Sequence, residues 1–298
     1  MRRKFAARKG AYSLLLLVLF ALPVSFFIFR TAVVKKVASA VPVQWEVEAG
    51  DKLFDELKGN YSIVEDSVIS AKFDSIFQSL VEAVNTPDIT YKFYLCSDPT
   101  LNAFALPGGH IVINYGTLMK IDRIEELYGV IGHELGHVAL RHHLRGIISN
   151  LSTFLIFQGM LGDEAGLVGI IGESAGHLES LFYSRQFEKE SDIAGFEYLV
   201  KANIDPKGMV EFFERIENEH EEREEEEKQR DINNGEYDES DTSSTYQQLE
   251  SFMSTHPGVR ERIDYLKERI ESEDVKIESK EFDLKEFQYF VQRKLDIK

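Results

Sequence analysis

A helical stripe runs through Val64, Val68, Ile69, Phe73, Ile76, Phe77, Leu80, Val81 and Val84, about six turns with one apolar face. The Thr86-Pro87 step ends it, because proline disfavours helical backbone in the residue before it. Two short apolar runs, Ile89–Leu95 and His110–Asn114, read as strands, with Pro107-Gly108-Gly109 as the turn between segments. Helical periodicity then returns. Asp122–Arg145 reads as one helix, with Asp122 as its cap and Leu127, Val130, Ile131, Leu135 and Val138 as its buried face. Gly176–Lys201 reads as another, closed by Asn203 and Pro206, and Pro257–Glu271 and Phe282–Leu295 as the last two. Val43–Leu57 is partly helical by the same pattern. The sum predicts an α+β fold, mainly helical, with a small β-sheet.

Two stretches break the amphipathic pattern. Gly10–Phe29 carries no charge, and five basic residues precede it: Arg2, Arg3, Lys4, Arg8 and Lys9. As a helix, Ala11–Phe29 would span about 28 Å, close to the hydrocarbon thickness of a bilayer. The run exceeds a usual signal-peptide core, and Ala38-Ser39-Ala40, which resembles a cleavage site, lies beyond Arg30, Lys35 and Lys36. The expectation is one uncleaved transmembrane helix at residues 11–34, with a cleavable signal as its alternative. The charge bias predicts that residues 1–10 face the cytoplasm and that the rest is extracytoplasmic, periplasmic if the source is bacterial. Ile147–Gly172 is apolar and glycine-rich, but Asp163 and Glu164 divide it into pieces marginal for spanning. It is read as a hairpin that packs on the core or touches the bilayer surface.

The 298 residues are 43% hydrophobic and 29% charged, a globular composition. The net charge of −17 excludes a nucleic-acid binder, since phosphate contacts need clustered Lys and Arg. Part of that charge is local: Glu211–Arg230 holds ten Glu against four Lys or Arg and predicts a solvated helix fading into a polar loop. Cys96 is the single cysteine, so neither an intrachain disulfide nor a cysteine-built zinc site is available.

The candidate chemistry lies in His133-Glu134-Leu135-Gly136-His137. Residues four apart share a helix face, so both imidazoles reach one zinc ion, and Glu134 beside them can take a proton from its water. The flanking sequence is apolar on both sides, so burial of these polar groups without a ligand would be costly. A catalytic zinc needs a third ligand, from His142, His143, His177, His256 or an acid. The best source is Ser184–Gly195, where Glu188 and Asp192 are i,i+4; Glu188 can ligate and Asp192 can orient a ligand imidazole. His142 and His143 are expected to be exposed at the helix end beside Arg141 and Arg145, and His177 and His220 on the surface. His110 is a lesser candidate for the cleft.

Four segments occur in order: Asn102-Ala103-Phe104-Ala105-Leu106-Pro107-Gly108-Gly109, the HExGH helix, Ser184-Arg185-x-x-Glu188-x-x-x-Asp192-x-x-Gly195, and Thr255-His256-Pro257 with Arg262. Together they resemble the membrane-associated metallopeptidases of the HtpX, CAAX-prenyl endopeptidase and Oma type, including BepA-like members, over roughly residues 45–270. The resemblance implies a gluzincin fold and one zinc per chain on His133, His137 and Glu188. It implies Glu134 as base, Asp192 behind the ligands, and His256 and Arg262 approaching the active site. The strand at Asn102, Ala103, Phe104 and Ala105 would receive substrate backbone by β-augmentation.

The chain departs from the multi-span members in having one clear span, and no repeat array like that of BepA follows. The expected organisation is an anchor at 11–34, a metallopeptidase domain at 38–272 with an acidic insertion at 214–246, and an extension at 273–298. The expected function is zinc-dependent endopeptidase action on unfolded or membrane-associated polypeptides in protein quality control. The alternatives are a zinc-stabilised chaperone or adaptor that does not cut, and a membrane-tethered scaffold acting through the acidic segment.

Overall fold

The computed structural model describes residues 30–161, 185–234, 256–277 and 281–295. The chain divides into two compact units, Met1–Pro42 with Leu144–His177, and Val43–His143 with Leu178–Lys298. The first unit contains a helix over residues 30–40 (α1) and most of the helix His142–Leu161 (α6). Val33 and Val37 on α1, and Ile147 and Leu151 on α6, are exposed one turn apart. Residues 11–29 of the anchor expected at 11–34, and the part of the Ile147–Gly172 run after residue 161, lie outside the described residues. Among the described residues, no helix is long and apolar enough to cross a membrane.

The second unit holds the rest. Its helices are α2 (Val43–Asn60), α3 (Ser67–Val84), α4 (Tyr115–Lys120), α5 (Ile124–Ala139), α7 (Arg185–Lys201), α8 (Lys207–Asn234), α9 (Val259–Ser272) and α10 (Leu284–Lys294). The strands β1 (Lys92–Cys96), β2 (Ala103–Ala105) and β3 (His110–Asn114) form one sheet in the order β1-β3-β2. β1 runs parallel to β3, from Lys92 opposite His110 to Cys96 opposite Asn114. β2 runs antiparallel to β3, with Ala103 opposite Ile113 and Ala105 opposite Ile111. Alternation along β3 sends Ile111 and Ile113 into the main core and Val112 into a smaller cluster with Phe54, Cys96 and Leu106.

Local chemistry explains the helix ends. Asp66 caps α3 by accepting from the amides of Val68 and Ile69 at 2.9 and 3.1 Å, and left-handed Asn85 closes it before Thr86-Pro87. α5 begins after Arg123, not with Asp122 as its cap: Glu126 Oε1 accepts from the amides of Asp122 and Arg123 at 2.9 and 3.1 Å. The single helix expected over Asp122–Arg145 is interrupted. α5 stops at Ala139, Arg141 takes a left-handed φ of 58°, and α6 restarts at His142. Arg141 is tied down there by an ion pair with Glu46 of α2.

α5 lies at the centre, packed against α3, α7, α8 and β2. Phe73 and Phe77 of α3, Ile131 and Leu135 of α5, Phe196 of α7 and Phe212 of α8 meet in its core. The acidic stretch is therefore only partly solvated. α8 starts at Lys207, and Met209, Phe212, Phe213 and Ile216 are buried before the Glu-rich turns. α10 adds Leu284, Phe287 and Val291 to the same core. The α5–α7 approach is close: a Cβ on Gly195 would lie 2.8 Å from the Gly132 carbonyl carbon and 2.9 Å from the His133 amide, so only glycine fits. That contact brings the acids of α7 to the histidines of α5.

Candidate metal centre

His133 and His137 project from one face of α5 and are fully buried, with their Nε2 atoms 2.9 Å apart. Glu188, in the first turn of α7, reaches both: its Oε1 lies 3.3 Å from His137 Nε2 and its Oε2 3.4 Å from His133 Nε2. His256, just ahead of α9, adds a fourth group, with Nδ1 3.0 Å from Glu188 Oε2 and 3.2 Å from His133 Nε2. One donor atom from each of these four residues lies within 4.8 Å of the others. Thr255 and Ser184, which flank the motifs in sequence, lie outside the described residues, as does His177.

A second layer holds these groups. His133 Nδ1 donates to Asp192 Oδ1 at 2.8 Å, which turns Nε2 towards the cluster. Arg262 donates to Asp192 Oδ2 and Oδ1 at 2.7 and 2.8 Å and to Glu188 Oε2 at 2.9 Å. Tyr265 bonds Asp192 as well, and Ser191 Oγ donates to the His133 carbonyl at 2.9 Å. Arg262 thus stands behind the carboxylates, its guanidinium 4.1 Å from the centre of the Phe213 ring.

The electrostatics favour positive charge at the middle of the cluster. Burial and Arg262 both oppose charge on His133, yet Asp192 and Glu188 overcome them and raise its pKa to about 9. Burial pushes His137 well below the ordinary imidazole value, and the charge at His133 pushes it further. Burial alone would raise Glu188, but His256, Arg262 and the two histidines hold it well below the carboxylate range. Asp192 falls to about 2, because Arg262 and His133 outweigh its burial. Glu188 Oε1, buried, makes no hydrogen bond of normal geometry. Two imidazoles, a carboxylate that reaches both and a field that attracts cations fit a divalent ion of the zinc type.

Glu134 sits beside the cluster, fully buried. Neither of its oxygens makes a hydrogen bond of normal geometry; His256 Nε2 stands 3.5 Å from Oε1. Burial lifts its pKa above the usual value, against the pull of His256 and His133. β2 is the sheet's edge strand on the α5 side. Asn102 and Leu106 bond across to Asn114 and His110, so alternation turns the backbone groups of Ala103 and Ala105 outward. There His143 Nε2 donates to the Ala105 carbonyl at 2.8 Å.

His142 and His143 are therefore not exposed, as the sequence reading has them, but 0% and 5% exposed. The turn at Arg141 folds both inward. His142 Nδ1 meets His137 Nδ1 at 2.9 Å, its ring stacks on Phe187 at 4.5 Å, and its Nε2 lies 3.4 Å from Glu190 Oε2. The sequence offers His142 only as one possible third ligand and does not mark Glu190, and a residue five places after His137 would point away in an unbroken helix. His110 is buried away from the centre, bonded to Asp51 at 2.8 Å and Tyr94 at 3.1 Å where α2 packs on the sheet. His220 is half-buried.

The chain resembles a putative beta-barrel assembly-enhancing protease of Vibrio cholerae, 29% identical over 61% of this chain and 40% of that protein. It is 28% identical to the metalloprotease YcaL of Escherichia coli over 72% of this chain and 75% of YcaL. It is 33% identical to the mitochondrial metalloendopeptidase OMA1 of Arabidopsis thaliana over 43% of this chain and 26% of that protein. The chain thus spans about two fifths of the length of the beta-barrel assembly-enhancing proteases it matches. The profile of peptidase family M48 matches residues 69–270, from α3 through the two-histidine helix and Glu188 to Arg262, and by that match the chain belongs to peptidase family M48.

Proposed function

We propose that this M48 peptidase is a zinc-dependent endopeptidase that cuts unfolded or membrane-associated polypeptides, tethered by its N-terminal apolar run with the catalytic unit outside the cytoplasm. The observation that carries the chemistry is the convergence of His133, His137 and Glu188 beside the buried Glu134. A bound zinc ion supplies a Lewis acid for the scissile carbonyl and the attacking water. His133, His137 and Glu188 hold it. Glu134 accepts the water proton and returns it to the leaving amine; its raised pKa suits a group that must do both near neutral pH. Asp192 fixes the His133 tautomer, and Arg262 holds Glu188 and Asp192 in register. An extended substrate strand added to the β2 edge would be read by its backbone more than by its side chains, and it requires that His143 give up the Ala105 carbonyl that it now holds. The relatives named for enhancing beta-barrel assembly are consistent with a quality-control role, while the location rests on the N-terminal apolar run and its flanking charges.

The test separates chemistry from binding. Glu134→Gln should keep its zinc and its fold while losing about 10²–10⁴-fold in casein cleavage. Wild-type turnover in that variant would remove Glu134 from the mechanism. Zinc-free wild-type protein that still cuts would overturn the proposal as a whole.

A further inference from the structure

We infer that His142 and Glu190 are a positioning pair for His137, setting its tautomer and ring orientation through a chain of two hydrogen bonds. An imidazole that lends Nε2 to a cation carries its proton on Nδ1, and that proton needs an acceptor. For His133 the acceptor is Asp192. For His137 the geometry supplies a histidine: His142 Nδ1 stands 2.9 Å from His137 Nδ1. With His142 Nδ1 accepting, the His142 proton resides on Nε2, which faces Glu190 Oε2 at 3.4 Å. Phe187 stacks on the His142 ring at 4.5 Å, tilted by only 5°, which fixes the plane in which both bonds are made.

The backbone shows how this arises. In a continuous helix the fifth residue on points about 140° away. Here Arg141 takes a φ of 58°, held by Glu46, and the chain doubles back so that His142 returns onto His137. Phe187 and Glu190 flank the ligand Glu188 on α7, so one helix supplies a metal ligand, the Asp192 acceptor for one histidine and the Glu190 terminus of the other's relay. Glu190 is in turn steadied by Gln186 Nε2 at 3.0 Å.

The inference rests on the zinc reading above. It is tested on full-length protein by zinc affinity, measured by competition with a chelating indicator, and by the rate of zinc release. His142→Asn, whose amide oxygen can replace Nδ1 as acceptor, should stay within a few-fold of wild type. His142→Phe, which keeps the stack on Phe187 but offers no acceptor, should weaken affinity about 10–100-fold and speed release. Glu190→Ala should fall between them. Equal affinity and release for His142→Phe and wild type would overturn the pair, as would a His142→Asn loss matching that of His142→Phe. Should His142→Phe fail to fold, 15N NMR of zinc-loaded wild type decides: His137 must be protonated on Nδ1 with coupling across to His142 Nδ1, and its absence overturns the inference. Wild type that takes up no zinc sinks the zinc reading itself, a result separate from these.

Discussion

Arg262 donates to Glu188 Oε2 at 2.9 Å and grips both oxygens of Asp192, so a single buried cation sets two carboxylates on successive turns of α7. The planar guanidinium is what permits this, since an ammonium group cannot present parallel donors to two acids. Removing the charge while keeping bulk, as in Arg262→Met, leaves both acids uncompensated in the interior. The expected cost is about 3–5 kcal/mol of stability together with weakened zinc binding. Urea melts and zinc titration check it. An unchanged midpoint and full zinc occupancy would mean that the acids are held by something else.

His143 predicts an acid-sensitive step distinct from the metal. Burial lowers its pKa to about 4, against the small opposing effect of its bond to Ala105. The unfolded chain protonates this imidazole near pH 6.5, whereas the folded chain resists until about 4. The unfolded state therefore binds more protons in that window, and stability falls as pH drops from 6.5 towards 4, by an amount on the order of 3 kcal/mol. His143→Gln keeps a donor for Ala105 without titrating. The difference between wild type and this variant should thus shrink with falling pH. A difference that stays constant from pH 7 to 4 would remove His143 as the source.

Much of this was legible in the sequence, and the illegible parts share a cause. α3 and β3 stand almost where the pattern puts them: α3 has one buried face and stops before the Thr86-Pro87 step, and β3 is a short apolar run buried on both sides behind the Pro-Gly-Gly turn. His133, Glu134, His137, Glu188 and Asp192 were legible because four-residue spacing on regular helices fixes which side chains share a face. His142, His143 and Glu190 were not, since their placement depends on the left-handed residue at Arg141. Arginine carries no local signal for that conformation, and what stabilises it is a distant partner, Glu46. The early turns of α8 were misread for a similar reason: the charge run after Glu217 masked Phe212, Phe213 and Ile216, which the core requires.

The proposed tether has its own measurement. The full chain should stay in the membrane fraction after alkaline extraction and keep its original N-terminus, because residues 11–29 are uncharged and basic residues lie on both sides. The exposed Val33 and Val37 beside Lys35 and Lys36 suit a helix close to a lipid surface. A mature N-terminus at Val41, read by mass spectrometry, would make this a secreted protein.

His256 stands where a ring could either close the resting site or serve the reaction. Its Nδ1 stands 3.0 Å from Glu188 Oε2 and 3.2 Å from His133 Nε2, and its Nε2 faces Glu134 at 3.5 Å, so the ring fills the space between the ligands and the base. Substrate carbonyl and attacking water need that same space. Gly258 follows two residues on with a φ of 83°, a conformation open to glycine at little cost, so the turn into α9 needs no strained residue beside the ring. If His256 restrains the site, His256→Ala should raise basal casein cleavage and self-degradation while three ligands still hold zinc. If the ring instead donates to the developing oxyanion, the same change lowers kcat by about 10²-fold with zinc retained. The contacts to both Glu188 and Glu134 favour restraint, since a ring reserved for the oxyanion has no need to lie against the ligand and the base at once. Measuring kcat and zinc content together in His256→Ala separates the two, and a reduced kcat at full zinc occupancy ends the restraint reading.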